Sequence, residues 1–377
     1  MNRAIKSSLV AVCILGLLAI AACSEKEQPE TLEEHIALAR EVEVNFPGDS
    51  CVSYYQAALR MAVEVDSVEA QMQIHNVLAV KYIFFEEEEK AAKNLRSTLS
   101  LGKNHPQYHE EIALALDWYG AYHLRMQNYD SGLYYFEKGL AYGLEHLEPT
   151  HQAISNSYLS IAFYYANTRR FYDKAIENLQ KSIAIRTALF GKNSGEVGEC
   201  LLNLAKWHYE QADYHKAIDY MEKALRSFES VTSSEGIAVT IIKMYLGNYY
   251  RSAGELEKSI DIYDDLINTR ENAENQLNLA KARLGLAMSL AEMNNSNAEN
   301  LFLEAVAKVE SLYEAESRHF VLPYHETGKY YLSLGSYDKA EEYLNKCLEL
   351  SEILYGQGSV YYGEVLLSLG ELYLGRN

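Results

Sequence analysis

Two histidines, His105 and His109, stand four residues apart in the stretch NHPQYHEE. On a helix that spacing sets both imidazoles on one face, the arrangement with which a zinc site often begins. Such a site needs three or four protein ligands, and no cysteine or second histidine pair stands nearby to complete one. Pro106 suits a first helical position, Asn104 or His105 can cap it, and Glu110 and Glu111 suit the positive end of the first turn. The stretch therefore reads as a helix start, and no metal is expected. Four successive glutamates in FFEEEEKAAK, residues 84–93, could gather calcium, but no EF-hand spacing accompanies them, and they read as a solvated turn and helix start. Neither a glycine-rich phosphate loop nor a G-x-S-x-G elbow occurs. These residues point away from catalysis, and neither an enzymatic activity nor a cofactor is expected.

The elements that carry such residues are set by composition. The chain has 377 residues, 48% of them hydrophobic, only five prolines and a formal charge of −19. So few prolines suit long helices with short connections, because proline breaks helix interiors. The charge excludes nucleic acid, whose phosphates would repel it, and simple adsorption to anionic lipid. The N-terminus differs from the rest: Arg3 and Lys6 precede an apolar run at residues 9–22. Fourteen residues fall short of the roughly 20 that span a membrane, so the run reads as an export signal. Its end, IAAC, resembles a bacterial lipobox, which implies cleavage before Cys23 and a diacylglycerol on its sulfur, with palmitate among the acyl chains. Residues 1–22 are then a lipoprotein signal peptide, and their loss leaves a charge of −21. Residues 23–30, CSEKEQPE, form an acidic linker reaching at most about 26 Å when extended. Thr31 and Glu34 form a capping box that starts the first helix.

From residue 31 to 377 the sequence repeats. A small residue recurs as Ala39, Ala79, Gly120, Ala162, Ala205, Gly247, Ala287, Gly328 and Gly370, at spacings of 40 to 43. A second small column reads Cys51, Ala91, Gly132, Ala175, Ala217, Ser259, Ala298 and Ala340. Four residues beyond each stand Tyr55, Leu95, Phe136, Leu179, Met221, Tyr263, Phe302 and Leu344. The alignment needs one extra residue before Ala175 and one fewer before Ala298. Positions three and four apart share a helix face, so each unit reads as two amphipathic helices whose small residues let the backbones approach and whose large residue fills the space beside them. One pair cannot bury its own face, so units must stack. Cys51, Cys200 and Cys347 fall in the first, fifth and eighth units, too far apart for a disulfide, which needs Cα atoms within about 7 Å. They read as buried free thiols. Tyr82, Tyr165, Tyr250, Tyr331 and Tyr373 occupy one further column and are explained by packing.

Stretches such as SLGSYDKA and YLGNYYRSAGELEKS make this pattern resemble the tetratricopeptide repeat, and the long period resembles the kinesin-light-chain-type subgroup. The resemblance implies an all-α, right-handed α-solenoid of about eight helix pairs plus a final C-terminal helix. It also implies that the first helix of each pair lines a concave surface. The offsets of ligand contacts in such proteins select Asn156, Asn203, Lys206, Tyr209, Asn248, Arg251, Lys281 and Lys329. The lysine and asparagine arrangement of the carboxylate-clamp subgroup is not reproduced, which argues against a chaperone tail as ligand.

The reading that follows is a non-catalytic adaptor anchored by Cys23 in the cell envelope, binding a peptide or protein partner in its groove. Ser24, rather than aspartate, after the cysteine fits the outer membrane, and the acidic linker resembles signals that carry some lipoproteins to its outer face. Alternatives are the sensory or regulatory half of a signalling system, and an accessory of outer-membrane assembly or glycan uptake. The final helix, SVYYGEVLLSLGELYLGRN, is apolar on more than one face.

Overall fold

The computed structural model describes residues 29–45, 50–232, 236–268, 275–314 and 316–376. The expected export signal at residues 1–22 and Cys23 lie outside them. The described residues form an all-α solenoid of helix hairpins, which separates into two compact units at Tyr164 and Tyr165. The first unit holds α1 (Leu32–Asn45), α2 (Ser50–Glu64), α3 (Val68–Phe84), α4 (Glu88–Asn104), α5 (His109–Arg125), α6 (Tyr129–His146) and α7 (Gln152–Tyr164). The second opens with a π-helical turn, Tyr165–Arg169, followed by α8 (Tyr172–Phe190), α9 (Gly195–Glu210), α10 (Tyr214–Val231), α11 (Ile237–Ser252) and α12 (Leu256–Ile267). It continues with α13 (Gln276–Glu292), α14 (Ala298–Leu312), α15 (Val321–Ser333), α16 (Tyr337–Tyr355) and α17 (Val360–Arg376). Within each unit a helix packs on its hairpin partner, on the next helix in sequence, and the first helices pack on one another: α3 on α5 and α5 on α7, then α11 on α13, α13 on α15 and α15 on α17. None of the described helices is long and apolar enough to cross a membrane.

The capping box forms as expected. The Glu34 amide donates to Thr31 Oγ1 and the Thr31 amide to Glu34 Oε2, at 3.2 and 3.0 Å. These bonds satisfy main-chain donors that a helix start leaves open, and the Glu30 amide, donating to Glu34 Oε2 at 2.8 Å, together with the Thr31 amide holds the Glu34 carboxyl below its usual range. At the other helix singled out from sequence the structure differs. Pro106 sits in a turn, Tyr108 is the cap and α5 begins at His109, while His105 ends α4. His109 accepts or donates a 3.1 Å bond with Tyr142 Oη and stacks on His146, so its ring is engaged in packing.

The small columns are where helices touch. All eight members of the second column are buried, as are those of the first apart from Gly370. A Cβ on Gly120 would stand 2.5 Å from Phe136, one on Gly247 2.8 Å from Tyr263, and one on Gly328 2.8 Å from Leu344. Each glycine thus faces the large residue sixteen positions later in its own hairpin. Burying each such side chain contributes about 1.5–3 kcal/mol. Cys51, Cys200 and Cys347 are buried free thiols, and burial pushes the Cys347 thiol up to about 11.

The hairpin turns share one device. A residue in the left-handed region stands at Glu86, Gln127, Arg170, Ala212, Gly254, Asn294 and Gly335. The next amide bonds back five residues, as Glu87 to Tyr82, Asn128 to His123, Asp213 to His208, Glu255 to Tyr250, Asn295 to Leu290 and Ser336 to Tyr331. This is the Schellman closure of a helix end, and it needs no particular side chain. Before α8 the bond is one residue longer, Phe171 to Tyr165, because the π turn takes up the extra residue that the alignment required. The missing residue falls after Asn294, where Ala298 stands four positions past the left-handed residue instead of five and α14 begins at Ala298 itself. The glutamates of residues 86–89 occupy this turn and helix start; Glu86 pairs with Arg125 at 2.6 Å and Glu87 with Lys90 at 2.9 Å.

Two kinds of cross-link recur. A lysine in the second helix lies over the column tyrosine of the first, as Lys90 over Tyr82, Lys174 over Tyr165, Lys258 over Tyr250 and Lys339 over Tyr331, 4.7–5.5 Å from the ring centres. Polar struts join neighbouring first helices. Ser160 donates to Asp117 at 2.9 Å, and His325 bonds Ser368 at 3.1 Å, both pairs 43 residues apart. Of the column tyrosines, Tyr82, Tyr250 and Tyr331 are buried, while Tyr373 is exposed and donates to Glu341 at 2.9 Å.

Candidate ligand groove

The residues selected at fixed offsets from the first small column belong to first helices, and four of the eight meet in one place. Asn203, Lys206 and Tyr209 follow one another at three-residue spacing on α9, which keeps them on one face. With Asn248 of α11 they line a cavity of about 270 Å³. Its apolar lining includes Leu202, Met221 and Ile242, and at the rim Ile241 and Tyr245 are exposed. The Tyr209 ring stacks on Tyr249 with centres 4.3 Å apart and planes 13° from parallel. Its hydroxyl bonds Ser252 Oγ at 2.9 Å and accepts from Asn248 Nδ2 at 3.4 Å. Burial raises the hydroxyl pKa of Tyr249, so it remains a phenol at any physiological pH. Tyr209 is therefore a wall of the cleft held from two sides. Lys206 is exposed at the mouth, and Asn203 donates to the Glu199 carbonyl at 2.8 Å.

Arg251 extends this row. It donates to Asn248 Oδ1 at 2.8 Å and to Glu292 of α13 at 2.6 Å, while its buried Nε has no hydrogen-bond partner. Arg251 and Lys329 line a second, more polar cavity of about 520 Å³ with Glu292, Glu326, Phe302 and Tyr330. Lys329 pairs with Glu326 at 3.4 Å. Six of the selected residues thus fall along two clefts of the second unit. Lys281 does not join them; it lines a separate cavity with Arg318 and His319. Asn156 belongs to the first unit, on α7, half-buried. Cys23 lies outside the described residues. Among those residues, no group of three or more His, Cys, Asp or Glu is placed to hold a metal ion.

Tyr245, which stands two residues before Gly247, was not among the residues the offsets selected. Asn203 occupies the same place before Ala205. The register that marks the groove therefore also marks Tyr245 and, a turn earlier, Ile241; attention to polar members alone passes over the apolar ones that shape the cleft.

These features define a class: an all-α solenoid that carries tetratricopeptide repeats. The family models described as tetratricopeptide repeat match residues 154–230 and 323–353. Three solved structures share the fold. A signal transduction ATPase with numerous domains and a tetratricopeptide repeat sensor, from Pyrococcus horikoshii, is 19% identical with a TM-score of 0.58 over 74% of this chain, which spans 41% of that protein. The apo form of RapI is 14% identical with a TM-score of 0.52, covering 75% of this chain and 98% of that one. The apo form of the quorum sensor NprR from B. thuringiensis is 14% identical with a TM-score of 0.50, covering 92% and 99%. No curated protein matches the sequence.

Proposed function

We propose that the chain is a membrane-tethered adaptor without chemistry of its own, holding an extended peptide segment of a protein partner along the first helices of its second unit. The observation that carries this is the cleft between α9 and α11, with an apolar floor, an exposed Tyr245 at its rim and hydrogen-bonding groups of Asn203, Lys206 and Asn248 beside them. An apolar partner side chain would enter the floor while its main chain bonds the amides, the division of labour common in peptide recognition. The tether is Cys23, lipidated after signal cleavage, and the outer membrane is the proposed address. The regular array offers a long surface, so affinity comes from several modest contacts.

A photoreactive residue at position 245 of the full chain, activated in intact cells, tests the groove. A discrete set of crosslinked proteins, lost on changing Ile241 to aspartate with helicity retained, is the expected result; capture unaffected by I241D refutes it. The captured proteins separate an adaptor for outer-membrane assembly from a regulatory component or a glycan-uptake accessory. The tether has its own test. Cys23→Ser should abolish palmitate labelling and release the protein from membranes, and protease shaving of intact cells reports which face it occupies.

A further inference from the structure

Many of the bases of this chain are paired. Acids outnumber them 53 to 34, and Lys81, Arg125, Lys216, Lys243, Arg251, Arg283, Lys339 and Arg376 each have a carboxylate within 4 Å. Three basic side chains break the pattern together. Lys281 of α13, and Arg318 and His319 of the 3-10 turn that leads into α15, line one cavity of about 280 Å³, and none has an acidic partner among the described residues. Glu314 and Glu316 flank that turn in sequence, but no carboxylate of a described residue lines the cavity. In so acidic a protein, Lys281 and Arg318 converging beside His319 without a counter-charge are a cost the fold does not relieve by itself.

We propose that this cavity binds a small organic anion, an oxyanion such as a phosphate or carboxylate carried on a compact apolar body. Lys281 and Arg318 supply charge-assisted donors for the oxyanion, and the His319 ring adds a further donor. The turn adds to them: Ser317 caps it by accepting from the His319 amide at 3.4 Å, which fixes Arg318 and His319 at the positive end of the helical segment running through α15. Opposite the charges, the lining is hydrocarbon. Ala280, Leu284 and Val309 are buried in the floor, and Leu322 and Tyr355 stand exposed at the rim. Inorganic phosphate would satisfy the cations and leave this wall unused; a neutral ring would do the reverse. A volume of about 280 Å³ lies at the small end of ligand pockets, enough for one ring or short branched chain with a single oxyanion. Desolvation and the Arg318 charge hold Lys281 below its ordinary pKa, and desolvation, Lys281 and Arg318 do the same to His319. An anion would offset the repulsion among these charges.

The test uses the purified full chain in detergent, titrated by calorimetry at low salt with phenyl phosphate, inorganic phosphate and benzyl alcohol. Phenyl phosphate is expected to bind one to one, at least roughly tenfold tighter than either of the others, and to weaken as salt rises. Lys281→Met and Arg318→Met should each weaken it roughly tenfold, while the same change at Lys192, exposed in the turn before α9, leaves it unchanged. Hydrogen exchange on the unaltered protein gives a readout that needs no variant: phenyl phosphate should protect amides of residues 277–284 and 317–323. No binding, binding untouched by K281M and R318M, or protection elsewhere overturns the proposal; equal affinity for inorganic phosphate overturns its apolar half. Because this cavity is separate from the peptide cleft, I241D should leave phenyl phosphate binding unchanged, so either reading can fail alone.

Discussion

Gly285 and Gly370 both lie within helices, yet replacing them with alanine should move stability in opposite directions. Gly285 is on α13, and a Cβ there would fall well inside van der Waals contact with the ring of Tyr263, which already abuts Gly247 on α11. Tyr263 is 4% exposed, and its hydroxyl donates to the Met244 carbonyl at 3.1 Å, so the ring cannot swing aside into solvent. Overpacking of this kind costs about 1–3 kcal/mol, and the better helix propensity of alanine returns about 0.8–1.0 kcal/mol. Gly285→Ala should therefore destabilise by up to about 2 kcal/mol in net. At Gly370, on α17, nothing lies within 4 Å of the added carbon, and only the propensity gain remains, so Gly370→Ala should stabilise by up to about 1 kcal/mol. Urea unfolding followed by circular dichroism measures both, and hydrogen exchange of α12 and α13 localises the first, since repeat arrays loosen locally. Changing Tyr263 to leucine, the residue at that column in three other hairpins, removes the atoms that Gly285→Ala would strike. In that background Gly285→Ala should lose its penalty. If Gly285→Ala stabilises as Gly370→Ala does, or its effect is the same with Leu at 263, the close approach of helices at these glycines is wrong.

Three further outcomes follow from other features. Ala212 holds a left-handed φ of 58° in the turn before α10, so Ala212→Gly should raise the urea midpoint, by about 0.5–1 kcal/mol, whereas Gly335→Ala at the equivalent turn should lower it. Burial pushes the Asp117 carboxyl from its ordinary value of 3.8 up to about 7, against the hydrogen bonds of Ser160 and Ser157. The folded state then holds a proton that the unfolded state releases, so this contribution is complete below about pH 4 and is lost as pH rises toward 7; Asp117→Asn should flatten that part of the stability profile, with Glu111, also raised by burial, leaving a smaller residual slope. Thiol reagents counted by mass should label Cys51, Cys200 and Cys347 only as the chain unfolds, because all three are buried and none is bonded to another.

Much of the fold was legible because its signal is steric and periodic. The small columns mark backbone contacts, and a contact between backbones tolerates few residue types, so Ala175, Ser259 or Gly132 announces itself. The hairpin turns were less legible for the opposite reason. Their left-handed residue is glutamate, glutamine, arginine, alanine or asparagine more often than glycine, since the main-chain bond rather than the side chain makes the turn. Pro106 misled because its suitability for a helix start is local, while the position of α5 is set by packing against α4 and α6. For the groove, offsets found Asn203, Lys206, Tyr209 and Asn248, but not Tyr245, and they included Lys281, whose cavity depends on a turn 37 residues later that no repeat register describes.

The counted turns also decide where this chain can change length. One residue added inside a helix rotates everything beyond it by roughly 100°, carrying a buried small column out to solvent. Here the surplus residue is spent in the π turn at Tyr165–Arg169 and the shortfall is taken after Asn294, both between the two helices of a hairpin. Each hairpin thus corrects its own register error before passing the chain on. Insertions placed between a first helix and its left-handed residue should be absorbed in the same way, while those placed between a small residue and its large partner should not, which makes the turns natural points at which to splice, label or extend the array.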